Sequence, residues 1–290
     1  MGDSPERVPS IEELRSLAQG EKLAGDRRLW YRTFRWLSIR LTWVLLHSRI
    51  TPNQVTVASL IIAAAGLVLI AISAWAAVAD YLLLLVYHLL DRVDGEIARF
   101  RRIFSLHGIY LDNAGHYVTS AGIFLATTYR LAGAASRPQS LWLIGSIAAL
   151  AAALYRVEKH APFHLFSQYV VAQPELVAGM HTSASALTRE ATRADRSEGS
   201  PISAIGRLRD LVLSLTSFPA IVTLFLFGSV AEIIAGESTA IVLLVIVSLL
   251  QISAYISLEA INLSANLATE TLRLAEAQPG SIRQDGSDRR

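Results

Sequence analysis

The chain has 290 residues, 52% hydrophobic and 17% charged, with a formal net charge of +2 and a mean hydropathy of +0.41. A soluble domain carries about a quarter charged residues, so this balance points to a membrane protein, with lipids rather than nucleic acid as its surroundings. The absence of cysteine excludes disulfides, thiolate metal sites and a cysteine nucleophile.

Residues 1–26 are polar and read as a mobile N-terminus without a signal peptide. Residues 27–50 alternate Arg with Trp, Phe and Leu at helical spacing and include Trp30, Trp36 and Trp43. No central stretch there is free of charge, so the segment reads as an amphipathic helix lying in the membrane interface. Thr51-Pro52-Asn53-Gln54 is a fully punctuated helix start. Thr51 suits the N-cap, Pro52 the first turn, and Gln54 closes a capping box, with Ile50 and Val55 able to form a hydrophobic staple. A helix N-terminus here also favours a nearby anion.

Six apolar runs follow: Asn53–Trp75, Val78–Ala98, Ser105–Leu131, Leu141–Val157, Asp210–Ser229 and Thr239–Asn262. A span needs about 20 residues, and only the fourth run looks short. The predicted fold is therefore an all-α integral membrane protein, six transmembrane helices preceded by the interfacial helix. Residues 51–265 form its membrane domain, 168–206 a polar linker within it, and 266–290 a disordered tail. With both termini inside, Arg7 to Arg49, the 99–102 turn, the 156–209 segment and the tail share one side, and only Arg130 and Arg137 face the other. By the positive-inside rule the first side is cytoplasmic.

The stretch Asp91–His116 (DRVDGEIARFRRIFSLHGIYLDNAGH) lies at that cytoplasmic edge. Asp91, Asp94, Gly95 and Ala98 fall on one helix face, and Gly108, Asp112 and His116 on one face of the next. Facing helices would bring three carboxylates and an imidazole into one pocket. Ionisable groups in a membrane are expensive and mark functional sites. Carboxylates at this spacing suit hard divalent cations such as Mg²⁺ or Mn²⁺, which would neutralise a diphosphate. Gly95 and Gly108 leave room for a flat ligand against backbone, and Arg99 is placed to meet a phosphate. Close helix packing also uses paired small residues, but packing does not account for three Asp. Tyr87 and His88 precede the carboxylates by one turn, and His88 reads as a supporting group rather than a ligand. After the fourth run, Arg156, Glu158, Lys159, His160 and His164 gather on the same side. They are positive-inside decoration or, for Arg156, Lys159 and His160, a place for a second anionic substrate. The last two runs read as packing helices.

D-R-V-D-G-E-I-A-R, with Gly108 and Asp112, resembles the signature of the CDP-alcohol phosphotransferase family, D-x2-D-G-x2-A-R followed by G-x3-D-x3-D. Seven of its eight positions match. T-P-N-Q-V-T at 51–56 resembles what precedes the first span in that family, and the resemblance covers roughly residues 30–265. The eighth position departs: His116 stands where the family has its fourth Asp.

The resemblance implies transfer of a substituted phosphate from a CDP-linked alcohol, usually CDP-diacylglycerol, to an acceptor hydroxyl with release of CMP, in phospholipid biosynthesis. It implies Asp91, Asp94 and Asp112 as metal ligands for Mg²⁺ or Mn²⁺. It places Asn53, Gly95, Ala98, Arg99 and Gly108 around the nucleotide and phosphates, and implies a homodimer. His116 inherits the place of the group that helps bind metal and deprotonates the acceptor, alongside Asp112. A neutral imidazole is a competent base, and it ligates Mn²⁺ better than Mg²⁺. Three readings of His116 stand: an active variant, a non-catalytic relative that binds the CDP-alcohol, and a structural histidine. A divalent-cation transporter is a further class, which would leave the G-x2-A-R pattern without a role. Arg greatly outnumbers Lys, which occurs only at Lys22 and Lys159. That bias suggests a GC-rich bacterial genome, and hence a bacterial cytoplasmic membrane.

Overall fold

The computed structural model describes residues 8–23, 29–103, 105–133, 135–172 and 215–264. Among these, every regular element is helical: α1 (Ile11–Leu23), α2 (Leu29–Leu46), α3 (Pro52–Ile70), α4 (Ala74–Arg101), α5 (Leu106–Ala132), α6 (Pro138–Ala172), α7 (Phe218–Ala235) and α8 (Glu237–Ser264). The chain divides into two compact units, Met1–Ala153 with Val212–Ile252, and Leu154–Leu211 with Ser253–Arg290. The second contains the C-terminal parts of α6 and α8.

Local chemistry sets the helix boundaries. Thr51 Oγ1 accepts from Gln54 N at 3.3 Å, and Gln54 Oε1 accepts from Thr51 N at 2.9 Å, so the capping box at the start of α3 is closed in both directions. Ser73 and Ser105 cap α4 and α5 in the same way, each hydroxyl accepting from the amide three residues on. The helix α4 ends at Arg102, which adopts the left-handed conformation (φ 55°) and returns its N–H to Ala98 O. Arg101 donates to Ile50 O at 2.5 Å and Ser48 O at 2.9 Å, which ties the end of α4 to the segment leading into α3. The short connections at 71–73 and 102–105 make α3, α4 and α5 consecutive antiparallel neighbours.

Five helical stretches are long and apolar enough to cross a membrane: Pro52–Ile70, Ala74–Arg101, Pro138–Glu158, Phe218–Ala235 and Glu237–Ala260. The helix α5 matches the third predicted run in position and length but is not among the five. Its sequence carries Asp112, Asn113, His116, Thr119, Ser120, Thr127, Thr128 and Arg130, which dilute its hydropathy.

In the first unit, α3 to α8 share one apolar core that includes Tyr81, Leu84, Tyr87, Phe124, Val222, Phe225 and Leu244. Gly115 and Gly122 on α5 make room for Leu60 and Leu67 of α3; a methyl group at either glycine would collide with the leucine. A second cluster joins Leu14 and Ala18 of α1, Ile39 and Leu46 of α2, Val55 of α3, and Val93 and Ile97 of α4.

That cluster corrects the expectation of a mobile N-terminus for residues 11–23. They form a helix with Leu14, Ala18 and Gln19 buried, because an apolar stripe with a polar anchor is enough to dock α1 beside α4. Other boundaries shift as well. The break between the first two membrane helices falls at 71–73, so Trp75 belongs to α4. The fourth helix is long rather than short, and residues 168–172 continue it instead of opening a linker. The fifth starts at Phe218, with Pro219 in its first turn. The remaining linker residues 173–206, residues 210–214 and the tail 266–290 lie outside the described residues.

Candidate active site

The stretch Asp91–His116 spans the end of α4 and the beginning of α5, and the turn between them folds the two faces together. Asp91, Asp112 and His116 each place one ligand atom so that all lie within 4.8 Å of one another. His116 Nε2 is 3.1 Å from Asp91 Oδ1 and 3.6 Å from Asp112 Oδ1. Cis ligands around a Mg²⁺ bound at about 2.1 Å stand about 3 Å apart, so two carboxylate oxygens and an imidazole nitrogen at this spacing fit a divalent cation. The Asp91 and His116 side chains are largely covered, at 13% and 15% exposure, whereas Asp112 is 42% exposed. The site is therefore open on the Asp112 side.

Asp94 falls outside that three-residue group. Its carboxylate is buried and accepts from Thr56 Oγ1 of α3 at 2.5 Å. The α4 face predicted to carry Asp91 and Asp94 presents Asp91 to His116 of α5 and Asp94 to Thr56 of α3.

The glycines make room for polar neighbours rather than for bare backbone. A Cβ at Gly108 would stand 2.6 Å from Asn53 Oδ1, and one at Gly95 would stand 3.1 Å from an Arg99 guanidinium nitrogen. Asn53 also donates to Ser105 Oγ at 3.4 Å. Arg99 donates through Nε to Ala18 O at 2.7 Å, so the C-terminal half of α1 already occupies part of its donor set. Ala98 sits partly exposed on the same face of α4.

His88 packs its ring against Phe34 and Phe218 and places Nδ1 3.9 Å from Asp91 Oδ2. That geometry suits a supporting group better than a direct ligand. Arg156 is half-buried on α6, and the side chains of Lys159 and His160 lie outside the described residues.

Three contributions escaped sequence reading. Glu96, inside the signature, is buried and accepts from Gln19 Nε2 and Ser38 Oγ at 2.6 Å each, and from Thr42 Oγ1 at 2.7 Å. It thereby pins α1 and α2 to α4. Thr56 holds Asp94. Arg130 of α5 and Glu232 of α7 form a buried ion pair, with Ser229 Oγ accepting from Arg130 at 3.2 Å, so α7 is more than a packing helix. A glutamate in an otherwise apolar run was the available signal for the last of these.

Residues 49–183 match the family model of CDP-alcohol phosphatidyltransferase. The match takes in Asn53, α3, α4, α5 and the whole of Asp91–His116. That family transfers phosphatidyl groups from CDP-alcohols to alcohol acceptors, and its members typically depend on divalent metal. No curated protein matches the chain.

Proposed function

We propose that the chain is a membrane-embedded CDP-alcohol phosphotransferase that moves a substituted phosphate from CDP-diacylglycerol to a small hydroxyl acceptor and releases CMP. The observation that carries this reading is the convergence of Asp91, Asp112 and His116 from two helices within the stretch that matches the family. A bound Mg²⁺ or Mn²⁺ would supply neutralisation of the diphosphate and stabilisation of charge developing at phosphorus.

The chain's own groups divide the remaining work. Asp91, Asp112 and His116 Nε2 would hold the cation, and Asp94, fixed by Thr56, stands one turn along α4. Asn53, Gly95, Ala98, Arg99 and Gly108 shape the place of the nucleotide and its phosphates. The acceptor oxygen forms a bond to the phosphorus bearing the lipid alcohol, and the diphosphate P–O bond breaks with its electron pair leaving on CMP. Asp112, the most open of the three cation-holding groups, takes the acceptor proton.

In this reading α5 crosses the membrane with the five more apolar stretches, giving six crossings, because its polar face is turned to α3 and α4. The exposed Trp36, Leu37 and Val44 of α2 lie in the interface, with Arg40 stacked over Trp36 at 3.7 Å. The site faces the cytoplasm of a bacterium, by the positive-inside argument, and the protein works as a homodimer.

The test is release of CMP from CDP-diacylglycerol by detergent-purified protein with Mg²⁺ or Mn²⁺, across a panel of inositol, glycerol and sugar phosphates and serine. CMP release with at least one acceptor, absent from Asp91→Ala, is expected. Failure with every acceptor and both metals would reject the catalytic reading.

A further inference from the structure

His116 is held from both sides by one helix. Its Nε2 faces Asp91 of α4, and its Nδ1 lies 3.1 Å from the hydroxyl of Tyr87, four residues earlier on the same helix. Tyr87 itself has little freedom. It is 1% exposed, and its ring packs edge-on against Phe218 of α7, with centroids 5.8 Å apart. Its ring meets the His116 ring at 73°, so the contact between them is made through the hydroxyl rather than by stacking.

A histidine in a cation site needs such a partner where an aspartate does not. A carboxylate offers about four lone-pair positions, so rotation still leaves one facing the ion; a neutral imidazole offers one lone pair, on one nitrogen. Turning the His116 ring over would take Nε2 out of the group. A phenol hydroxyl can donate to Nδ1 or accept from it, so Tyr87 keeps its hydrogen bond whether Nε2 carries a hydrogen toward Asp91 or offers its lone pair to a cation. Nitrogen ligands also suit Mn²⁺ better than Mg²⁺.

We propose that Tyr87 is the positioning residue of this site: its hydroxyl fixes His116 so that Nε2 is the atom presented beside Asp91 and Asp112, which makes the site selective for Mn²⁺ over Mg²⁺. The inference rests on the reading of Asp91, Asp112 and His116 as a cation site.

The test is direct binding of Mn²⁺ to the purified full-length chain, read as loss of the six-line electron paramagnetic resonance signal of free Mn²⁺, with Mg²⁺ as competitor. Tyr87→Phe keeps the ring and its packing and removes only the hydroxyl. Loss of a ligand histidine's hydrogen-bonding partner typically weakens metal binding about 10–100-fold, and a weakening in that range is expected. His116→Ala should weaken Mn²⁺ binding at least as much, and adding Tyr87→Phe to it should weaken binding no further, because the hydroxyl acts through the imidazole. Mg²⁺ should displace Mn²⁺ more readily from Tyr87→Phe than from the unsubstituted chain. An unchanged Mn²⁺ affinity in Tyr87→Phe would overturn the inference, as would effects of the two substitutions that multiply. If the unsubstituted chain takes up no Mn²⁺, the cation-site reading itself fails and the inference falls with it.

Discussion

Thr56 on α3 donates its hydroxyl to Asp94 on α4 across 2.5 Å, so a residue of the first membrane helix holds a carboxylate of the signature in the second. The same hydroxyl lies 3.2 Å from Pro52 O, and the shorter distance marks Asp94 as the proton's destination. Thr56→Val preserves shape and removes the donor. A buried acceptor left without its partner costs about 1–3 kcal/mol, and a loss of stability of that size is expected in denaturant titration of the detergent-solubilised protein. Wild-type stability in this variant would mean that Asp94 finds another donor.

Glu96 is the hub that fixes α1 and α2. Glu96→Ala removes the acceptor shared by Gln19, Ser38 and Thr42, leaving Gln19 and Ser38 with their longer bonds to Arg35 O at 3.0 and 3.3 Å. Leaving a buried polar group without its partner costs about 1–3 kcal/mol. Here the loss should fall first on α1, whose other tie to the body of the protein includes the Arg99 bond to Ala18 O. Hydrogen exchange of the α1 amides is expected to accelerate while the middle of α4 stays protected. Glu96→Gln, which keeps one acceptor oxygen, should show a smaller effect. Unaltered protection of α1 in Glu96→Ala would remove Glu96 from this role.

The Arg130–Glu232 pair makes different predictions for single and double changes. Arg130→Met leaves Glu232 buried without its cation and should destabilise by about 3–5 kcal/mol, whereas Arg130→Met with Glu232→Leu should recover most of that loss. A double-mutant cycle in denaturant checks it. Equal losses in single and double variants would show that the hydrogen bond to Ser229, or packing, matters more than the charge pair.

Much of this architecture was legible because membrane helices announce themselves by composition. The apolar runs located α3, α4, α6, α7 and α8, and the capping box at Thr51 and Gln54 placed the start of α3 to the residue. The pairing of Asp91 with Asp112 and His116 followed from helical spacing and one short turn. What spacing does not show is which way neighbouring side chains on one face turn. Asp94 shares a face with Asp91 but is drawn to α3 by Thr56, a partner 38 residues away in sequence. Gly95 and Gly108 were read as room for a ligand, and the side chains that stand beside them are those of Arg99 and Asn53. Residues 11–23 looked mobile because their anchor, Gln19, is polar, and its partner Glu96 is equally unremarkable in sequence. Polar contacts between distant segments carry no periodicity, so pattern reading passes over them.

The most direct test leaves the acceptor aside. The detergent-purified full-length chain is titrated with CDP-diacylglycerol, with and without Mg²⁺ or Mn²⁺, alongside Asp91→Ala. Asp91 stands 3.1 Å from His116 Nε2 and is central to the proposed cation site. Binding that requires the metal and is lost in Asp91→Ala is the expected result. Binding that ignores both metal and Asp91, or no binding under any condition, would contradict the assignment of Asp91, Asp112 and His116 as the site that receives the donor's diphosphate.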